Sequence, residues 1–316
     1  MRPRGHAVAA GGVAPPAFLL ALGLVAGCVA ISFSPILVRV AHVPALALAL
    51  WRCLAGALVL APFALRGARG RARPSRREAG LLAVSGACLA LHFALWNASL
   101  ALTTVASSTV LVGCSPLFVG VAAGPLLGEP PSRQGWAGIG LTIAGAGLIA
   151  LGDVGAVNLG SRALLGDAMA FGGAAAIGAY FLIGRAARRR LPATTYAASV
   201  YGVAAVVLLP ACLLTGAGLT GYPAGSWLAI GGVVAGPQLL GHTVFNALLA
   251  TLTADVVAAV TLTEPVGATL LAWVLFQELP TGWFWPGAAL VLVGVWLAGR
   301  AGRPGRLGRP AATEAD

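Results

Sequence analysis

Residues 97–147 read NASLALTTVASSTVLVGCSPLFVGVAAGPLLGEPPSRQGWAGIGLTIAGAG, and residues 246–296 read NALLATLTADVVAAVTLTEPVGATLLAWVLFQELPTGWFWPGAALVLVGVW. Laid over each other at a constant offset of 149, without a gap, they pair Asn97 with Asn246, Thr104 with Thr253 and Pro116 with Pro265. Further along they pair Glu129 with Glu278, Pro131 with Pro280, Trp136 with Trp285, Gly138 with Gly287 and Gly145 with Gly294. Matches of Ala and Leu cost nothing in a chain so rich in them, whereas coincident Asn, Pro, Glu and Trp do not arise cheaply. The offset spans five apolar segments. A unit with an odd number of membrane crossings re-enters the bilayer from the opposite face, so the second copy lies upside down relative to the first. That is the inverted-repeat architecture of many secondary carriers.

Composition excludes a soluble protein: 59% of the 316 residues are hydrophobic and 9% are charged, and the mean hydropathy is +0.90. About 20 apolar residues span ~30 Å of hydrocarbon. Ten such stretches are legible, at 17–38, 45–65, 80–101, 106–127, 135–152, 163–184, 193–214, 227–248, 255–276 and 283–299. Lipid satisfies no backbone N–H or C=O, so spans are helices or strands of a closed barrel. Strand-type alternation is absent, and helices follow. The expected fold is an all-α integral membrane protein of ten transmembrane helices, built as two inverted five-helix repeats. The repeats occupy 17–152 and 163–299, between a cytoplasmic N-terminal segment (1–16) and an Arg-rich cytoplasmic tail (300–316). The 44 glycines suit close helix contact in lipid.

A net charge of +11 invites a nucleic-acid reading, but its distribution argues against one. All twenty basic residues are Arg. With the N-terminus in the cytoplasm, seventeen fall on inner segments, against Arg39 and Arg162 outside and Arg52 within a helix. The positive-inside rule places both termini in the cytoplasm of a plasma (bacterial inner) membrane. The loop 66–79 carries six Arg in copy one, and its counterpart 215–226 carries none, which supports inversion a second time. These clusters read as topogenic anchors against anionic headgroups, with a lipid bilayer and not nucleic acid as partner.

Several motifs carry nothing. Val25-Ala26-Gly27-Cys28 resembles a lipoprotein cleavage box, yet its apolar run continues to Val38 and spans the membrane. The five cysteines (28, 53, 88, 114, 212) all sit in apolar spans without CxxC spacing, as packed thiols do. Four histidines without acidic or thiol companions make no metal set, no phosphate-binding glycine loop exists, and no cofactor is expected.

Polar groups inside spans are costly and are functional candidates by default. Glu264 stands at the middle of the ninth span before Pro265, and a carboxylate there is costly unless protonated, paired or facing water. Ser115-Pro116 occupies the same depth in copy one. Each proline removes a backbone donor, so Pro116 and Pro265 mark helix breaks where two repeats would hold a solute between them; each also reads as a kink that aids packing. His92, Trp96 and Asn97 form a second polar set in the third span, mirrored by Gln238, His242 and Asn246 in the eighth. Each of these also reads as an interhelical hydrogen-bonding group. Arg52, deep in the second span, could hold an anionic substrate, pair with Glu264 or Asp167, or snorkel along its helix. Glu129 and Glu278, before Pro131 and Pro280, read as turn and capping residues of the helices that follow.

Ten spans in two copies, Gly128-Glu129-Pro130-Pro131-Ser132, Glu264-Pro265-Val266 and Gln277-Glu278-Leu279-Pro280-Thr281 together resemble the EamA-like branch of the drug/metabolite transporter superfamily, over about residues 17–299. The chain departs from that pattern at Gln277, where a Gly usually precedes the Glu. The resemblance implies 5 + 5 inverted helices around a central cavity and an exporter or permease for amino acids or other small metabolites. It implies a cavity lined by helices three, four, eight and nine, with contributions from one and six, and so points at His92, Trp96, Ser115, Gln238, His242 and Glu264. The expected function is a secondary transporter of a small organic metabolite or drug, with proton coupling through Glu264. It acts as monomer or homodimer and is not an enzyme. The alternative is a membrane-embedded enzyme or lipid-handling protein using His92, His242 and Glu264 as acid/base groups, although neither Gly-x-Ser-x-Gly nor His-Glu-x-x-His is present.

Overall fold

The computed structural model describes residues 17–68, 74–103, 105–153, 161–277, 279–280 and 282–301. The Arg-rich tail beyond Ala301, the N-terminal segment 1–16, Thr104 and Glu278 lie outside the described residues. Within them the chain is helical and contains no strand. Copy one comprises α1 (Ala17–Ala41), α2 (Ala45–Ala68), α3 (Arg76–Ser99), α4 (Val105–Val112) with α5 (Ser115–Leu127), and α6 (Arg133–Asp153). Copy two comprises α7 (Ser161–Arg188), α8 (Ala193–Thr215), and α9 (Ala224–Val233) continuing through a π-helical segment (Val234–His242) into α10 (Thr243–Leu248). It closes with α11 (Ala254–Thr261), α12 (Glu264–Phe276) and α13 (Phe284–Ala301). Nine helical stretches of the described residues are long and apolar enough to cross a membrane. The tenth expected span, 135–152, is α6.

Side-chain chemistry moves two boundaries from where hydropathy puts them and changes the helix type inside a third span. The third span begins at Arg76 instead of 80, because Ser75 and Glu78 form a capping box. Ser75 Oγ accepts from Glu78 N at 3.3 Å, and Glu78 Oε2 accepts from Ser75 N at 2.9 Å. The sixth span runs to Arg188 instead of 184, because Arg185 and Arg188 bind protein acceptors in place of water. The eighth span is not one α-helix. Pro237 offers no N–H, and the backbone widens until Thr243 N bonds Gln238 O five residues back.

Packing is reciprocal between the copies. α6 and α13 run antiparallel in close contact, with Gly138 against Gly294 and Ala298 and Gly145 against Gly287 and Val291. Gly287 is the repeat mate of Gly138, and Gly294 is that of Gly145, so exchanging the copies maps the contact onto itself. That is the signature of a two-fold axis. A Cβ on Gly138 would stand 2.7 Å from Gly294 O, and one on Gly145 would stand 2.6 Å from Gly287 O, so only glycine permits this approach. α2 packs on its mate α8 in the same way, while α3 packs on α7 and α1 on the eighth span. Large apolar side chains such as Phe18, Val121, Val206 and Leu214 face outward. In water they would be a liability; in hydrocarbon they are at home.

Candidate functional site

The fourth and ninth spans are each broken at the same place. α4 stops at Val112, Gly113 and Cys114 form the break, and α5 restarts at Ser115. α11 stops at Thr261, Leu262 and Thr263 form the break, and α12 restarts at Glu264. The offset of 149 thus relates the breaks as well as the residues. Pro116 and Pro265 follow directly, where a missing N–H costs a helix nothing because the first turn has no acceptor for it. Glu264 stands in the first turn of α12, at the end of the helix that favours negative charge.

Between the breaks lies a cavity of about 60 Å³. Arg52, His92, Trp96, Ser115, His242, Glu264 and Pro265 all line it, drawn from five different spans. Apolar walls come from Ile31, Phe93, Ile177, Phe181 and Phe245. The arrangement adds Arg52 of the second helix to the lining that family resemblance implies. It also adds Ser34, Thr109 and Thr261, which polarity alone did not single out.

Arg52 neither snorkels nor pairs with Asp167. It is 1% exposed, its Nε donates to Gln238 Oε1 at 2.8 Å, and its guanidinium lies 3.9 Å from the centre of the Phe93 ring. Asp167 instead accepts from Thr103 Oγ1 at 2.6 Å. Arg52 Nη1 and Nη2 have no partner. His92 Nδ1 lies 3.0 Å from Gly173 O. A carbonyl only accepts, so Nδ1 carries the proton and a neutral ring leaves Nε2 as an acceptor. The His92 ring stacks parallel to Trp96 with centroids 6.1 Å apart, and Phe93 meets His242 edge-on at 5.4 Å. Trp96 Nε1, His242 Nδ1 and Glu264 Oε1 are buried without a partner. Orphaned polar atoms are rare in folded interiors, and here they gather around one cavity.

Four expected residues lie elsewhere. Gln238 is fully buried behind Arg52 and does not line the cavity. Asn246 accepts from Tyr180 Oη at 2.5 Å, with its Nδ2 3.4 Å from Tyr201 Oη, joining α7, α8 and α10 in a buried network. Asn97 donates to Ala45 O at 3.1 Å and lines a separate vestibule of about 640 Å³ beside Pro35, Arg39, Ala268 and Thr269. Pro116 is buried but outside the lining. The vestibule and the central cavity lie one residue apart on α1 and α3, and one helical turn apart on α12: Pro35 follows Ser34, Asn97 follows Trp96, and Ala268 follows Glu264.

Glu129 does not cap α6. Ser132 Oγ accepts from Gly135 N at 3.1 Å and does so instead. Glu129 takes both nitrogens of a fork from Arg185, at 2.8 and 3.0 Å, and a third bond from Arg189 at 2.7 Å. Partial burial alone would raise its pKa. The hydrogen bonds and charges of Arg185 and Arg189 outweigh that and hold it below the usual carboxylate range. Arg185 Nη1 also donates to Leu249 O, and Arg188 Nε to Asn246 O, each at 2.8 Å. The end of α7 thereby clasps the loops after α5 and α10.

The sequence profile of the EamA-like transporter family matches residues 18–151 and again 164–300. The chain is similar to the uncharacterized transporter YwfM of Bacillus subtilis (strain 168), at 26% identity over 231 residues, covering 71% of this chain and 74% of that one. In fold it is similar to a solved crystal structure described only as that of a protein, with a TM-score of 0.74 and 18% identity. That match covers 89% of this chain and 96% of the other.

Proposed function

Because the chain belongs to the EamA-like transporter family, a family of the drug/metabolite transporter superfamily, we propose that it is a secondary carrier moving a small organic solute across the plasma membrane. Both termini lie in the cytoplasm, and movement is coupled to protonation of Glu264. The observation that carries this reading is the convergence of two broken helices, one from each repeat, on a cavity ringed with unpartnered polar atoms. Broken helices are where inverted-repeat carriers expose backbone and polar groups at mid-membrane depth. The cavity, at about 60 Å³, has room for a few waters and is far smaller than a drug-sized site of ~300 Å³ or more. On this reading it is a contracted stage of a cycle, with the 640 Å³ vestibule as the outer approach.

The test is reconstitution into sealed liposomes with an imposed pH gradient and a panel of amino acids, organic acids, nucleosides and cationic drugs. Glu264→Gln keeps shape and hydrogen-bonding capacity but cannot change charge. It is expected to abolish accumulation driven by the gradient while slow exchange persists. A Gln variant that accumulates solute against a gradient at the native rate removes proton coupling through Glu264 and leaves a uniporter.

A further inference from the structure

Resting on the carrier reading, we propose that the central cavity takes a small organic monoanion with an apolar or aromatic tail, and that one proton on Glu264 travels with it. The carboxylate of the solute lies on the free edge of Arg52 and the indole N–H of Trp96.

Three lines of geometry converge. The first is the donor surplus. Arg52 Nη1, Arg52 Nη2 and Trp96 Nε1 are buried donors that line or border one cavity and have no partner, against one orphaned carboxyl oxygen, Glu264 Oε1, and one ring nitrogen of either role, His242 Nδ1. Gln238 takes the Nε of Arg52 and so leaves the two terminal nitrogens pointing as a pair. A planar fork with both ends free is the match for a carboxylate, which accepts two parallel N–H bonds. The second is the wall. Phe93, Phe181, Phe245 and Trp96 surround the polar patch and suit an apolar tail.

The third is charge balance. Arg52 stays positive, and an isolated charge in a low-dielectric interior is costly. The titratable groups that line the cavity with Glu264 are Arg52 from α2, His92 from α3 and His242 from the π-helical segment. Cys28 of α1 lies against Val260 O, one turn earlier. The charged residues of α6 and α13, Arg133, Asp153 and Arg300, sit at the helix termini. With the solute absent, and at a pH above the titration of Glu264, its ionised carboxylate offsets Arg52. A carboxylate arriving on Arg52 leaves one negative charge in excess, and a proton on Glu264 cancels it. Anion plus proton therefore enter as an electroneutral pair. A cation would leave the site at +1, and a solute without a carboxylate would leave the Arg52 fork unused.

The probes are four molecules on one frame: phenylacetate, phenylacetamide, phenethylammonium and phenylalanine. Binding to the full-length protein in lipid nanodiscs is read by ligand-dependent thermal unfolding, and proton uptake by an indicator dye. Phenylacetate is expected to bind best and, above the titration of Glu264, to take up one proton. Its Kd should weaken about tenfold per pH unit above the titration of Glu264, by proton linkage. Glu264→Gln should bind phenylacetate with a flat pH profile, Trp96→Phe should bind it more weakly, and Arg52→Lys should lose at least about tenfold, the fork being gone. A preference for phenylalanine or phenethylammonium, a pH-independent Kd in the native protein, or no binding of phenylacetate overturns the proposal. Counterflow of phenylalanine or phenethylammonium without phenylacetate in the liposome assay would remove the anion and leave the carrier standing.

Discussion

Arg52 points into the cavity because Gln238 and Phe93 hold its near side, through the 2.8 Å bond to Nε and the ring at 3.9 Å. Gln238→Ala leaves Nε buried and unpaired, so it is expected to cost about 1–3 kcal/mol of stability and to weaken solute binding, since the fork is no longer aimed. Asn246→Leu should cost a similar ~1–3 kcal/mol by orphaning Tyr180 Oη, yet leave binding at the cavity unchanged, because Asn246 does not line it. Unfolding temperature and Kd, measured on both variants, separate the two roles. The contrast also explains what the sequence made legible. Glu264, Arg52, His92, His242 and Trp96 stand out because polar groups in lipid-spanning helices need a reason. Asn97, Asn246 and Gln238 carry the same signal but do not line the central cavity, since polarity reveals a cost and not the direction a side chain takes. Thr261 was invisible for the opposite reason. Its hydroxyl bonds Ala258 O at 2.7 Å on its own helix, so it sits in a span almost without cost.

At the scale of elements, the breaks at 113–114 and 262–263 depend on prolines one residue inside each restarted helix. Proline disfavours helical backbone in the residue before it and cannot donate to the preceding turn. Pro116→Ala and Pro265→Ala restore that donor and favour a continuous helix. Each should slow transport severalfold in liposomes with expression intact; native rates in both would make the prolines packing features only. The clasp at the end of α7 supplies a second test. Glu129 is held below its unfolded pKa, so its contribution is present at neutral pH and fades as pH falls through the folded value. Glu129→Gln is expected to lower stability by about 1.5–3 kcal/mol at pH 7, with the difference from native protein shrinking towards acid pH in thermal unfolding scans. The broken helices were foreshadowed by Ser-Pro and Glu-Pro at matching depths. The π-helical turn was not, because hydropathy is blind to backbone register, and Glu129 read as a cap because its partners lie 56 and 60 residues away.

For the whole molecule, the repeat offset foretells the axis, and the glycine contact between α6 and α13 realises it. Which end faces the cytoplasm is read from charge alone, through the seventeen Arg that the span pattern of the sequence assigns to inner segments. In a background lacking the five native cysteines, single cysteines can read that orientation directly. Ala79 is exposed at the start of α3, in the Arg-rich segment. Thr220 is exposed in the Arg-free loop of copy two. Ala101 is exposed at the end of α3 and lines the vestibule. If the positive-inside asymmetry sets the topology, Thr220→Cys and Ala101→Cys react in intact cells with an impermeant maleimide, while Ala79→Cys reacts only after permeabilisation. Labelling of Ala79→Cys from outside would invert the whole assignment and make the vestibule the cytoplasmic approach to the cavity. Ala101 adds a functional readout to the topological one. A solute that closes the cavity around itself should slow labelling at Ala101, one turn from the site, while labelling at Thr220 proceeds at an unchanged rate.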